Sequence, residues 1–214
     1  MANKIDINVK LVESLIKEQF PDWSNLAISQ VELSGWDNRT FRLGENMLVR
    51  LPSAEGYVAQ VLKEQEWLPK LGRVISLQIP KPIALGKPSN IYSWNFSIYN
   101  WIPGFSVNQL ELSSNDLEHL AKDLADFINE LHKAPTEGAP EGGLHNYYRG
   151  CHPSVYDKDA RSDIEKLSDI IDSKKSLQVW ESAIASQWEQ KPVWVHGDMA
   201  IGNLRFCCKL DVVI

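Results

Sequence analysis

Trp194-Val195-His196-Gly197-Asp198-Met199-Ala200-Ile201-Gly202-Asn203, with eleven further residues to Ile214, is the stretch on which the reading of this chain turns. His196, Asp198 and Asn203 reproduce the spacing H-x-D-x-x-x-x-N between two short apolar segments. Five residues let the chain turn back, so a carboxylate and an amide can reach opposite sides of one reacting group. Taken in isolation, the loop is equally well a polar turn closing a strand, with Asn203 favouring the return as Asn does in many turns. The segments upstream decide between the two.

Composition sets the outer bounds. A chain of 214 residues, 43% hydrophobic and 23% charged, is long enough for one large domain or two small lobes. Its net charge of −6 argues against nucleic acid and against an anionic membrane surface, since both want a basic face. No apolar run approaches the roughly 18 residues that span a bilayer. The first residues contain no apolar signal core, and Cys151, Cys207 and Cys208 cannot form a disulfide framework. The expected compartment is therefore a reducing cytoplasm. A metal centre from His196, Asp198, Cys207 and Cys208 is disfavoured, because vicinal cysteines lack the separation of structural zinc ligands.

Apolar residues at helical spacing predict a helix from Val9 to Phe20, stopped by Pro21. Strands are expected at Ala27 to Leu33, Arg39 to Leu43 and Met47 to Leu51, joined by Gly35-Trp36-Asp37-Asn38 and Gly44-Glu45-Asn46. A helix over 55–71 follows, with Pro69 near its end, and then strands at Ile83 to Gly86 and Trp94 to Tyr99. From Trp101 the pattern turns helical. Ser113-Ser114-Asn115-Asp116 opens a helix continued by Leu117, Leu120, Leu124, Phe127, Ile128 and Leu131, and further helices are expected at about 153–171 and 173–187. The switch near residue 100 is the natural lobe boundary.

The order of these segments resembles the aminoglycoside phosphotransferase family, small-molecule kinases with a protein-kinase-like two-lobed fold. Ser34 to Leu43 resembles the first hairpin, Leu48 to Pro52 the third strand, and Lys63 to Leu71 the following helix. Ser97 to Phe105, containing Trp101-Ile102-Pro103-Gly104, is similar to the hinge, and His145 to Gly150 with Val193 to Leu204 completes the likeness. The resemblance implies an α+β fold: an antiparallel-sheet N-lobe with one main helix over 1–100, and an incomplete, mostly helical C-lobe carrying the catalytic loop over 101–214.

It also implies roles. Trp36 and Asn38 belong to the turn that covers the nucleotide phosphates. Arg50 stands where the pattern has Lys, as the cation on those phosphates, held by a carboxylate of the next helix, Glu64 or its rival Glu66. Arg is not a neutral exchange for Lys there. The plainer alternative is a sheet-edge charge opposite a solvated helix face. Asn100 and Ile102 are the hinge positions whose main chain would hold adenine, with Tyr99 behind. Tyr147, Tyr148 and Arg149 either line an acceptor pocket or simply pack on their own lobe. Asp198 would orient the acceptor hydroxyl, Asn203 would bind magnesium, and His196 would hold the loop.

The family pattern next requires an Asp-Phe-Gly-like segment whose Asp grips magnesium. Asn203 to Cys208 and Leu210 to Ile214 read as the two strands before it, and Asp211 lies inside the second. The expectation is thus an ATP- or GTP- and Mg2+-dependent phosphotransferase acting on a small-molecule hydroxyl, an aminoglycoside among the candidates, in a truncated form with little activity and poor solubility. The alternative is a non-catalytic nucleotide-binding remnant or an inactive relic.

Overall fold

Residues alternating between apolar and polar along Asn38–Leu43 and Met47–Pro52 give the first sheet one dry face and one chemical face. The computed structural model describes residues 6–32, 35 and 37–206, together with the backbone of Val212–Val213. The chain groups into two units, Met1–Ala134 with Asp198–Ile214, and Pro135–Gly197.

In the first unit, β1 (Ile28–Gln30), β2 (Asn38–Leu43), β3 (Met47–Pro52), β4 (Pro82–Gly86) and β5 (Phe96–Asn100) form an antiparallel sheet in the order β1-β2-β3-β5-β4. Phe41, Leu43, Val49, Leu51, Phe96 and Ile98 fill the dry face. Helix α1 (Val9–Gln19) covers them with Val12, Leu15 and Ile16, and Asn8 caps its first turn by accepting from the Leu11 amide at 3.1 Å. Register sets the other face: Thr40 lies opposite Arg50, Arg50 opposite Ser97, Arg42 opposite Leu48, and Leu48 opposite Tyr99. Cross-strand partners share a face, so Asn38, Thr40, Arg42, Leu48, Arg50, Ser97 and Tyr99 stand together. Gly44 makes the β2–β3 turn at φ 58°, a left-handed conformation that costs glycine nothing.

Helix α2 (Val58–Leu71) packs beside this second face, its Gln65 amide donating to the Ala84 carbonyl at 3.0 Å and to Ser97 Oγ at 2.9 Å. The helix expected from Glu55 begins as a 3-10 turn at Glu55–Tyr57, because Ala54 offers no capping side chain and Gly56 is a poor helix former. It continues through Pro69, whose missing amide falls in the last turn, where one lost bond is tolerable.

After β5, a strand that the sequence did not signal, β6 (Phe105–Ser106), pairs with β7 (Arg205–Phe206), which pairs with β8 (Val212–Val213). Helix α3 (Ser114–Lys133) begins at a capping box between Ser113 and Asp116. Its Leu120 joins Val107 and Leu204 in a second core, on which Leu124, Met199 and Phe206 also pack. The strand expected over 27–33 is shorter than its pattern, and Leu33, Ser34, Trp36, Cys207, Cys208 and Asp211 lie outside the described residues.

In the second unit, α4 (Asp157–Lys166) lies against α5 (Ser173–Ala185). Pro153–Tyr156, expected as helix, is a 3-10 turn capped by His152. Asp157 joins the two helices, accepting from Trp180 Nε1 at 2.7 Å and from Arg161 Nε at 2.8 Å, while Arg161 Nη2 reaches Glu181 at 2.7 Å. These bonds, that from Trp180 first, hold the Asp157 carboxyl below the usual carboxylate range. A depressed carboxylate stabilises the fold fully above its unfolded value, near 3.9, and loses that contribution as pH falls through the lower folded value. Acid titration followed by tryptophan fluorescence should therefore show a loosening below about pH 4 that Asp157→Asn moves; identical titrations would contradict the linkage. Among the described residues no helix is long and apolar enough to cross a membrane.

Candidate functional site

Arg50 leaves the middle of the sheet on its polar face and meets Glu64 of α2, Nη1 to Oε2 at 3.4 Å. Glu64 Oε2 also accepts from the Tyr99 hydroxyl, a short contact, and Asn38, with its amide oxygen turned to Arg50, accepts from Nε and Nη2, both at 3.2 Å. Four of the expected residues thus meet in one cluster. Glu66 does not join it: its carboxylate takes Lys70 Nζ at 2.8 Å, one helical turn on. Of the two candidate carboxylates, Glu64 is the partner of Arg50.

The electrostatics hold this cluster in one protonation state. The Glu64 carboxylate raises the Arg50 guanidinium above its ordinary value, so Arg50 is a permanent cation. Burial, then the Glu64 charge, raises the Tyr99 hydroxyl well above its ordinary value, which keeps its proton available for donation to Glu64. Arg50 retains 34% of its side-chain exposure and Glu64 retains 21%, so the cation is braced from behind and accessible in front.

At the end of β5, Asn100 bonds to Lys81. Its amide donates to the Lys81 carbonyl at 3.1 Å and its Oδ1 accepts from the Lys81 amide at 2.6 Å. The main-chain groups of Ile102, a buried residue, bond to no described residue. Between the two, Trp101 donates its amide to the Asn46 carbonyl at 2.8 Å and carries two guanidiniums from distant parts of the chain. Arg42 Cζ of β2 is 3.9 Å from the indole centroid and Arg205 Cζ of β7 is 5.2 Å away. Arg205 bonds to the Gly104 carbonyl, yet its Nε is buried without a partner, and burial followed by the charge of Arg42 lowers its affinity for its proton. No short-range signal could have found this pairing, since Arg42 and Arg205 belong to different sheets.

The H-x-D-x-x-x-x-N segment folds back as its spacing suggests. Ile201–Asn203 is a 3-10 turn, the Asn203 amide donates to the Ala200 carbonyl at 2.8 Å, and Asn203 Nδ2 donates to the main-chain carbonyl of Asp198 at 3.0 Å. Ser106 Oγ donates to the Gly202 carbonyl at 3.0 Å, and Val107 donates to the Leu204 carbonyl at 3.0 Å. Leu204 and Phe206 point into the second core, so alternation directs Arg205 to the opposite side. Asp198 and Asn203 are exposed on the loop that these contacts anchor. His196 belongs to the second unit, as do Tyr147, Tyr148 and Arg149, and Trp36 lies outside the described residues.

No set of three or more His, Cys, Asp or Glu side chains converges among the described residues. Asn203 does offer an oxygen, because its Nδ2 is the atom taken by Asp198. Magnesium commonly uses only one or two protein oxygens and takes the rest from phosphates and water, and Asn203 fits that pattern.

A family model described as the phosphotransferase enzyme family matches residues 28–213. Among solved structures, wild-type aminoglycoside 2'-phosphotransferase-IIIa in its GDP complex superposes with a TM-score of 0.70 at 20% identity, over 94% of this chain and 68% of that one. The gentamicin complex of APH(2'')-IIa gives 0.63 at 22% identity, over 98% and 69%. Macrolide 2'-phosphotransferase type I gives 0.59 at 17% identity, over 96% and 70%. At these identities the likeness establishes the fold. No curated protein sequence matches the chain.

Proposed function

Because the chain belongs to the phosphotransferase enzyme family, we propose that it transfers the γ-phosphoryl group of ATP or GTP to a hydroxyl of a small molecule. The observation that carries this is the braced cation: Arg50 held by Glu64, with Tyr99 and Asn38 completing the cluster on one sheet face. Such a cation, fixed in position and accessible on one side, suits nucleotide phosphates. Asn38 keeps the guanidinium plane fixed, and Ile102 supplies main-chain groups to a purine at the hinge. Asp198 orients the acceptor hydroxyl and receives its proton. Asn203, whose Nδ2 is engaged by the Asp198 carbonyl, would hold a magnesium ion through its amide oxygen, and that ion would supply charge neutralisation.

Relatives of the same fold are named for aminoglycoside and macrolide substrates. The proposed acceptor is therefore a hydroxyl-bearing molecule of that size. The test is transfer of label from γ-labelled ATP or GTP, with magnesium, to a panel of aminoglycosides and macrolides. Acceptor-dependent labelling supports the reading. Nucleotide binding without transfer reduces it to a binding protein, and absence of both removes it.

A further inference from the structure

The main-chain groups of Ile102 bond to no described residue, and Pro103, which follows, has no amide to give. The direction of this peptide is therefore set from either side. Before it, the Trp101 amide is tied to the Asn46 carbonyl at 2.8 Å, and the Trp101 indole lies against the guanidiniums of Arg42, at 3.9 Å, and Arg205, at 5.2 Å. After it, Gly104 has φ 122°, a conformation that favours glycine, and its carbonyl accepts from Arg205 Nη2. Arg205 thus touches the chain on both sides of Ile102.

The two guanidiniums are themselves held. Arg42 donates from Nε to the Gly44 carbonyl at 3.1 Å and from Nη2 to the Glu45 carbonyl, in the turn between β2 and β3. Arg205 stands opposite Ser106 in the β6–β7 pairing. Elements of two different sheets therefore close on one indole. The arrangement is unfavourable as packing alone: two like charges approach one ring, neither has a carboxylate partner among the described residues, and Arg205 Nε is buried without a partner. Apolar side chains would cover the indole without these penalties. A buried group left unsatisfied calls for a reason, and such local conflicts concentrate at functional sites.

We infer that Trp101 is a positioning residue: its indole, clasped by Arg42 and Arg205, fixes the hinge so that the main-chain groups of Ile102 meet a purine base in one direction. The inference rests on the proposed nucleotide reading. It separates the tasks of the cations on this unit. Arg50 acts on phosphates, whereas Arg42 and Arg205 act through the indole and the Gly104 carbonyl.

Titration calorimetry with adenosine, guanosine and their triphosphates, the latter with magnesium, tests the separation. Trp101→Leu removes the aromatic face and should weaken the nucleoside and its triphosphate by the same factor, on the order of tenfold, so that the affinity added by the phosphates is unchanged. Trp101→Phe keeps a face for the guanidiniums and should recover most of the loss. Arg205→Met, which breaks both the stacking and the Gly104 bond, should reproduce the Leu result. Unchanged nucleoside affinity in Trp101→Leu overturns the inference. So does a loss confined to the triphosphates, which would make the guanidiniums phosphate ligands. If Trp101→Leu does not fold, Arg205→Met decides on the same criteria. An original chain that binds triphosphate but no nucleoside defeats the inference alone, and one that binds neither defeats the proposed function with it.

Discussion

Asp198→Ala is expected to lower phosphotransfer turnover by roughly 10²–10⁴-fold, the span of a positioned acid-base group, with nucleotide binding nearly unchanged. The separation follows from which atoms do what. Asn203 is held by the main-chain carbonyl of Asp198, not by its carboxylate, and that carbonyl survives the substitution. The loop is further anchored by Ser106 on Gly202 and by Val107 on Leu204, neither of which depends on the residue 198 side chain. The variant therefore removes the carboxylate while these anchoring contacts remain. Asp198→Asn is the stricter control, because it preserves shape and removes only basicity. Steady-state rates over a range of acceptor concentrations decide the matter: kcat should fall in both variants, and an undiminished kcat in either would remove Asp198 from proton transfer.

Much of this architecture was legible because its signals are local. Alternation along Arg39 to Leu43 and Met47 to Leu51 gives the dry face, Ser113 gives the start of α3, and the five-residue gap between Asp198 and Asn203 gives the return of the loop. Helix ends were less legible wherever the first turn depends on a cap, as at Glu55–Tyr57 and Pro153–Tyr156, which tighten into 3-10 turns. Strand β6 leaves no mark in the sequence because two residues carry no period, and only its pairing with Arg205–Phe206 makes it a strand. The site divides in the same way. Arg50 and Glu64 could be nominated from order along the chain, but the choice of Glu64 over Glu66 is a matter of helix rotation, which places one toward Arg50 and the other beside Lys70. At the hinge, position along the chain points to Asn100, and its side chain and amide bond to Lys81, pairings that no local pattern signals. Arg42, Trp101 and Arg205 meet only in three dimensions.

The same helix rotation predicts a graded series in nucleotide affinity. Arg50→Ala should weaken ATP or GTP binding on the order of tenfold to a hundredfold, from the loss of charge-assisted hydrogen bonds worth about 1.5–3 kcal/mol. Glu64→Gln should weaken it less, because the amide can still accept from Tyr99 but no longer fixes Arg50 by charge. Glu66→Gln should leave it unchanged: its pair with Lys70 is an exposed i,i+4 contact, worth about 0.3–0.5 kcal/mol to the helix and nothing to the cluster. Arg50→Lys should recover only part of the loss. A point charge can serve a phosphate, but it cannot hold Glu64 and Asn38 at once through separate nitrogens as the guanidinium does. Titration calorimetry with each nucleotide in the presence of magnesium measures the series. The order Arg50, then Glu64, then Glu66 is what a braced phosphate cation requires. Equal losses at Glu64 and Glu66 would mean that the ion pair only staples α2 to the sheet, with the phosphates bound elsewhere.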